Sequence, residues 1–99
     1  MAKYDVYRSG MSPGYLLDIQ SDLLDGLNTR AVVPLMPIKD APKPAERLNP
    51  VFKIKLKKHI MVTQLMSSVP VAVFEPPITN IAECHAEITS AIDMLMRGF

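Results

Sequence analysis

The chain contains no tryptophan, one cysteine, four scattered glycines and no long apolar run. A single cysteine excludes an intrachain disulfide, so an oxidising compartment has left no signature. Scattered glycines build no phosphate-cradling loop. No stretch approaches the roughly twenty apolar residues that cross a bilayer. Met1–Gly10 is too polar for a signal peptide, so a cytoplasmic protein is expected. A net charge of +1 supplies no electrostatic reason for non-specific nucleic-acid binding. Metal ligands are equally scarce. Cys84 and His85 are neighbours whose side chains diverge by about 100° on a helix, so no metal or cofactor is expected. No Ser–His–acid or Cys–His arrangement can be assembled, and His59, His85, Asp18, Asp22 and Glu75 all read as surface residues. No catalytic residue is assigned, and the protein is not expected to be an enzyme.

What is present is apolar bulk. Hydrophobic residues make up 48% of the 99 and charged residues 21%, which argues against disorder and for one domain. The core must be built from Val, Ile, Leu and Met, with part of the apolar excess covered by a second subunit. The most periodic stretch is Asn80–Phe99, where Ile81, Cys84, Ile88, Ala91, Ile92, Leu95 and Phe99 draw one helical stripe. Asn80 reads as its N-cap, with Glu83 placed to close a capping box, and Gly98 as its stop. Met94, Met96, Arg97, Gly98 and Phe99 end the sequence with apolar bulk and one cation. That end reads either as a last turn packed on its own domain or as a tip presented to a partner.

Ahead of the helix the patterns are those of strands. Lys3–Arg8 alternates with mixed faces, Ser9–Gly14 is turn chemistry, and Tyr15–Gln20 returns antiparallel. Ser21–Leu27 forms a tight loop around Leu23 and Leu24, either exposing one leucine or tucking both away in a helical turn. Arg30–Leu35 is a third strand, with Pro34 marking an edge or bulge. Met36–Pro50, carrying four prolines, is a long surface loop. Val51–Leu56 alternates strictly, Lys57 and Lys58 turn the chain, and His59–Leu65 and Val69–Phe74 complete the strands. The lysines around 53–58 read as the solvated, blunted edge of a hairpin, with a nucleic-acid patch as the alternative. Strands first and helix last define a mainly β fold: a small antiparallel barrel or strongly twisted sheet packed against one C-terminal helix.

The run Leu17-Asp18-Ile19-Gln20-Ser21-Asp22-Leu23-Leu24-Asp25 resembles the second strand and following loop of the CcdB toxins. Val33-Pro34-Leu35, Asn49-Pro50-Val51, Met61-Val62-Thr63, Ser67-Ser68-Val69-Pro70-Val71 and the closing Ala91–Phe99 follow in that family's order. The resemblance covers nearly the whole chain and implies the small barrel shared with the MazF and Kid toxins. It also implies a homodimeric toxin of a type II toxin–antitoxin module, which binds the A subunit of DNA gyrase and traps the cleaved-DNA complex. A CcdA-type antitoxin is implied as neutralising partner, with operator DNA, and so transcription regulation, reached through that complex. Carried over by position, the gyrase-binding residues are Leu23, Leu24, Asp93, Arg97, Gly98 and Phe99, and the helix end becomes a presented tip.

The chain departs from the family pattern in several places, among them Phe99 for an aliphatic terminus, a Lys55–Lys58 hairpin end without the Gly-Asp turn, and the length of the 36–50 loop. Where plasmid-borne members place a tryptophan that stacks on a gyrase arginine, this chain has Arg97; Asp93 stands where asparagine is usual. Two alternatives follow. One is a MazF-like endoribonuclease using a basic cluster such as Arg8, Arg30 and His59; the other is a homologue that binds the antitoxin but no longer poisons gyrase.

Overall fold

Strand β3 (Thr29–Pro37) is the element on which the sheet is hung, in a computed structural model that describes residues 1–10 and 13–98. Along one side β3 pairs with β2 (Tyr15–Asp18), from Tyr15↔Leu35 to Asp18↔Val32. Along the other it pairs first with β6 (Ser67–Pro70) and then with β5 (Lys57–Met61). Pro34 marks neither an edge nor a bulge. It falls where the second partner changes, so its missing N–H interrupts nothing there, while its carbonyl accepts the Val62 amide at 2.9 Å. With β1 (Asp5–Arg8), β4 (Val51–Ile54) and the two-residue β7 (Thr79–Asn80), the order is β4-β5-β3-β2-β1-β7, β6 lying beside β3. Every pairing is antiparallel, and the sheet curls into a half-barrel. The mainly β, helix-last architecture read from the sequence is the one found.

Its concave side is filled by Val6, Leu17, Val33, Leu35, Phe52, Ile54 and Met61, closed by Ile88 and Ala91 of α1 (His85–Arg97). Fully burying each large aliphatic side chain stabilises by about 1.5–3 kcal/mol, and this is what holds the helix to the sheet. The helix starts later than its periodicity suggests. Asn80 stays in the sheet because its side-chain amide donates to the Lys3 carbonyl at 3.0 Å and to Asp5 Oδ1 at 2.9 Å. Its Oδ1 accepts the Ala82 amide, starting a 3-10 turn over Ala82–Cys84 that leads into α1; Glu83 closes no capping box.

Other boundaries also move. β1 begins at Asp5 because Tyr4 takes a left-handed backbone (φ 72°) and sends its ring into the core. Tyr7 is buried as well, its ring 4.8 Å from that of Phe74, so both faces of β1 are covered. The chain turns at Lys55–Leu56, and Lys57 and Lys58 belong to β5. Leu56, expected inward, is almost fully exposed. Strand β5 stops at Met61 because the Val62 amide goes to Pro34 and the Thr63 hydroxyl donates to the Leu48 carbonyl at 2.5 Å, closing a 3-10 turn at Thr63–Leu65. The expected strand Val69–Phe74 is instead Ser67–Pro70 followed by a 3-10 turn, Val71–Val73. In the proline-rich segment, Met36 and Pro37 extend β3 and Ile38–Asp40 makes a 3-10 turn. Buried Asn49 then rivets the rest, accepting the Ala45 amide and donating to the Met61 carbonyl and Gln64 Oε1.

The β4–β5 turn carries strain. Lys55 (φ 50°) and Leu56 (φ 69°) both sit in the left-handed region that tight hairpins fill with Asn-Gly. Replacing the pair by Lys55→Asn and Leu56→Gly is expected to raise the unfolding free energy by about 1–2 kcal/mol. Urea denaturation at fixed protein concentration measures it; an unchanged midpoint would show that the turn is unstrained.

Candidate functional site

Two exposed apolar tips stand out, each held by its own polar scaffold. The first is the 3-10 turn Asp22–Leu24. Ser21 Oγ accepts the Leu23 amide, the Lys3 amide donates to Asp22 Oδ1, and Gln20 Nε2 donates to the Leu24 carbonyl. With the backbone satisfied in this way, the leucines are not drawn inward. Leu23 is 94% exposed and Leu24 50%, so the helical turn forms but neither leucine is tucked away.

Beneath this tip lies a feature the sequence did not betray. Asp18, read as a surface residue, is fully buried against Arg30, which is equally enclosed. Arg30 Nε donates to Asp18 Oδ2 at 2.8 Å, a second guanidinium nitrogen stands 2.7 Å from the same oxygen, and a third approaches Asp25 at 3.3 Å. The Gln20 amide donates to Asp18 Oδ1. Burial pushes the Asp18 carboxyl up, while the Gln20 amide and the guanidinium pull it back. The pairing was legible only once the register was known, since Arg30 is two residues from Val32, the partner of Asp18.

The second tip is the end of α1. Its first half is buried through Ile88 and Ala91, but Met94 and Leu95 are each 37% exposed and Met96 69%. Gly98 takes φ 82° and donates its amide to the Asp93 and Met94 carbonyls, a left-handed C-cap that ends the helix. Asp93 is half-buried and Arg97 and Gly98 are exposed, with Asp93 and Arg97 one helical turn apart. Phe99 lies outside the described residues. The helix is seated by Arg47, whose Nε donates to Ser90 Oγ at 2.7 Å, and by a hydrogen bond between the Tyr4 hydroxyl and His85 Nδ1. His85, read from the sequence as a surface residue, is thus tied to Tyr4 across the fold. Cys84 is half-buried, and burial together with Glu83 and Glu87 pushes its thiol up.

Leu23 and Leu24 thus share one set of supporting hydrogen bonds, while Gly98 caps the helix end through its amide on the Asp93 and Met94 carbonyls. The basic cluster Arg8, Arg30, His59 is not a surface constellation, because Arg30 and His59 are both buried. Among the described residues, no three His, Cys, Asp or Glu side chains could together hold a metal ion, and no helix is long and apolar enough to cross a membrane.

A curled antiparallel sheet closed by one late helix, with apolar side chains held out at two ends, is the architecture to be placed. The family model described as "CcdB protein" matches residues 3–98, nearly the whole chain. The chain belongs to the CcdB family, and so to the toxins of toxin–antitoxin systems.

Proposed function

We propose that this toxin acts by binding, as a homodimer that engages the A subunit of DNA gyrase and traps the cleaved-DNA complex. A CcdA-type antitoxin neutralises it and, together with it, contacts operator DNA to regulate transcription. The observation that carries the reading is the exposure of Met94, Leu95 and Met96 at the end of a helix whose first half is buried. Isolated exposed leucines are ordinary, but an apolar tip on a firmly seated rod is a surface that gains by being covered. Leu23 and Leu24 flank it in the proposed complex, and Asp93, Arg97, Gly98 and Phe99 supply its polar and terminal contacts.

The test is a supercoiling assay with gyrase from the protein's own host. The wild-type chain is expected to inhibit supercoiling and to yield linear DNA on denaturation. Deleting Arg97–Phe99 is expected to abolish both effects while leaving the circular dichroism spectrum unchanged, because among the described residues the last one packed on the core is Ile92. Unaffected host gyrase at high molar excess of wild-type protein would overturn the proposal.

A further inference from the structure

Net charge conceals how the charges are distributed. Arg8 at the end of β1, Lys39 in the turn after β3, and Lys55, Lys57 and Lys58 on the β4–β5 hairpin surround one concavity of about 740 Å³. All five are exposed, and among the described residues no carboxylate lines the space. Among the described residues, none of the five makes an ion pair with a neighbour. These are five of the chain's eleven Lys and Arg residues, leaving six against ten carboxylates elsewhere. The register adds a sixth cation, Lys53, directly across from Lys58, a like-charge pairing that costs stability. Charge is gathered here against the interest of the fold.

We propose that this concavity binds the phosphodiester backbone of a nucleic acid, directly and independently of the gyrase and antitoxin contacts. The cations are mostly lysines, point charges without the forked geometry that fixes one planar partner, and such sites follow a repeating anion. Among the described residues, apolar lining comes from Pro13, Pro37, the buried Ile54 and the half-buried ring of Tyr15. An acidic peptide would draw affinity from apolar anchors in a formed pocket, which this wall does not provide. A nucleic acid needs only charge and a ring on which a base can stack. Tyr15 offers that ring, braced at 5.0 Å by His59, whose Nδ1 is in turn fixed on the Lys57 carbonyl. The sequence showed the lysines around 53–58 but not Arg8 and Lys39 beside them, which only the curl of the sheet brings together.

Fluorescence anisotropy of a labelled short single strand, and of the matching duplex, tests the proposal with the full-length protein. Binding at low salt is expected to weaken with rising salt at a log–log slope of about −3, as if four phosphates were neutralised on a single strand. Lys57→Glu with Lys58→Glu is expected to weaken it about tenfold or more, whereas Lys3→Glu with Lys43→Glu, an equal charge change elsewhere, changes it less than about twofold. The first pair removes the Lys53–Lys58 repulsion, so it is expected to fold, which circular dichroism verifies. Tighter binding of the single strand identifies base stacking on Tyr15; equal binding identifies the backbone alone as the ligand. Deleting Arg97–Phe99 is expected to leave oligonucleotide binding intact, which separates this site from the gyrase reading. No binding at low salt, or equal losses in the two pairs, overturns the proposal. Equal displacement by polyglutamate overturns it in favour of an acidic-peptide surface.

Discussion

Asp18→Asn is expected to lower the unfolding free energy by about 3–5 kcal/mol at neutral pH, the usual cost of removing one partner from a buried ion pair. The loss is large because Arg30 cannot shed its proton, so its guanidinium is left enclosed with only the exposed Asp25, at 3.3 Å, to answer it. Arg30→Met is expected to cost less. Asp18 can escape by taking up a proton, and burial already pushes its carboxyl in that direction. The sign follows from linkage: a carboxyl raised in the folded state binds a proton more readily there than in the unfolded chain. The penalty in Arg30→Met is therefore present above the raised value and relieved as pH falls through it. Urea unfolding of both variants at fixed protein concentration, at about pH 7 and about pH 4, measures the asymmetry. Equal losses with no pH dependence would show that the pair does not carry the charge assigned to it.

Arg97→Trp is expected to strengthen gyrase poisoning about tenfold or more, since stacking an aromatic on a desolvated arginine is worth about 1–2 kcal/mol and each 1.4 kcal/mol is tenfold. In the proposed complex Arg97 meets that arginine as a like charge, which Asp93 one turn earlier partly offsets. Asp93→Asn in the present chain is accordingly expected to weaken poisoning, and in the Arg97→Trp background to change it little. Half-maximal inhibition of supercoiling by the three variants, with thermal unfolding as the folding control, decides it. A tryptophan variant no more potent than wild type would remove position 97 from the contact.

Much of this architecture was readable without coordinates. Alternation marked most of the strands, and the spacing of Ile88, Ala91 and Ile92 marked the helix, because burial imposes its period wherever one face is covered. Boundaries failed where a distant partner outbid a local preference. Asn80 is a good helix cap, yet its amide is claimed by Lys3 and Asp5 at the far end of the chain. The hairpin turn was misplaced because Lys55 and Leu56 carry none of the residues that announce one. At the candidate site, the exposure of Leu23 and Leu24 was half legible from two leucines in a polar turn. The Asp18–Arg30 pair was not, and of the gathered cations only the lysines around 53–58 were, since the pair and the approach of Arg8 and Lys39 depend on strand register, which no local signal specifies.

Strand β3 holds partners along both edges, and Asp18–Arg30 clasps it to β2 from within. Cohesion is therefore central and the exposed apolar tips are peripheral. Damage at one extremity leaves a sound molecule behind. In the proposed homodimer, a copy blunted at its helix end would still pair with an intact copy, acting as a decoy that dilutes the working form.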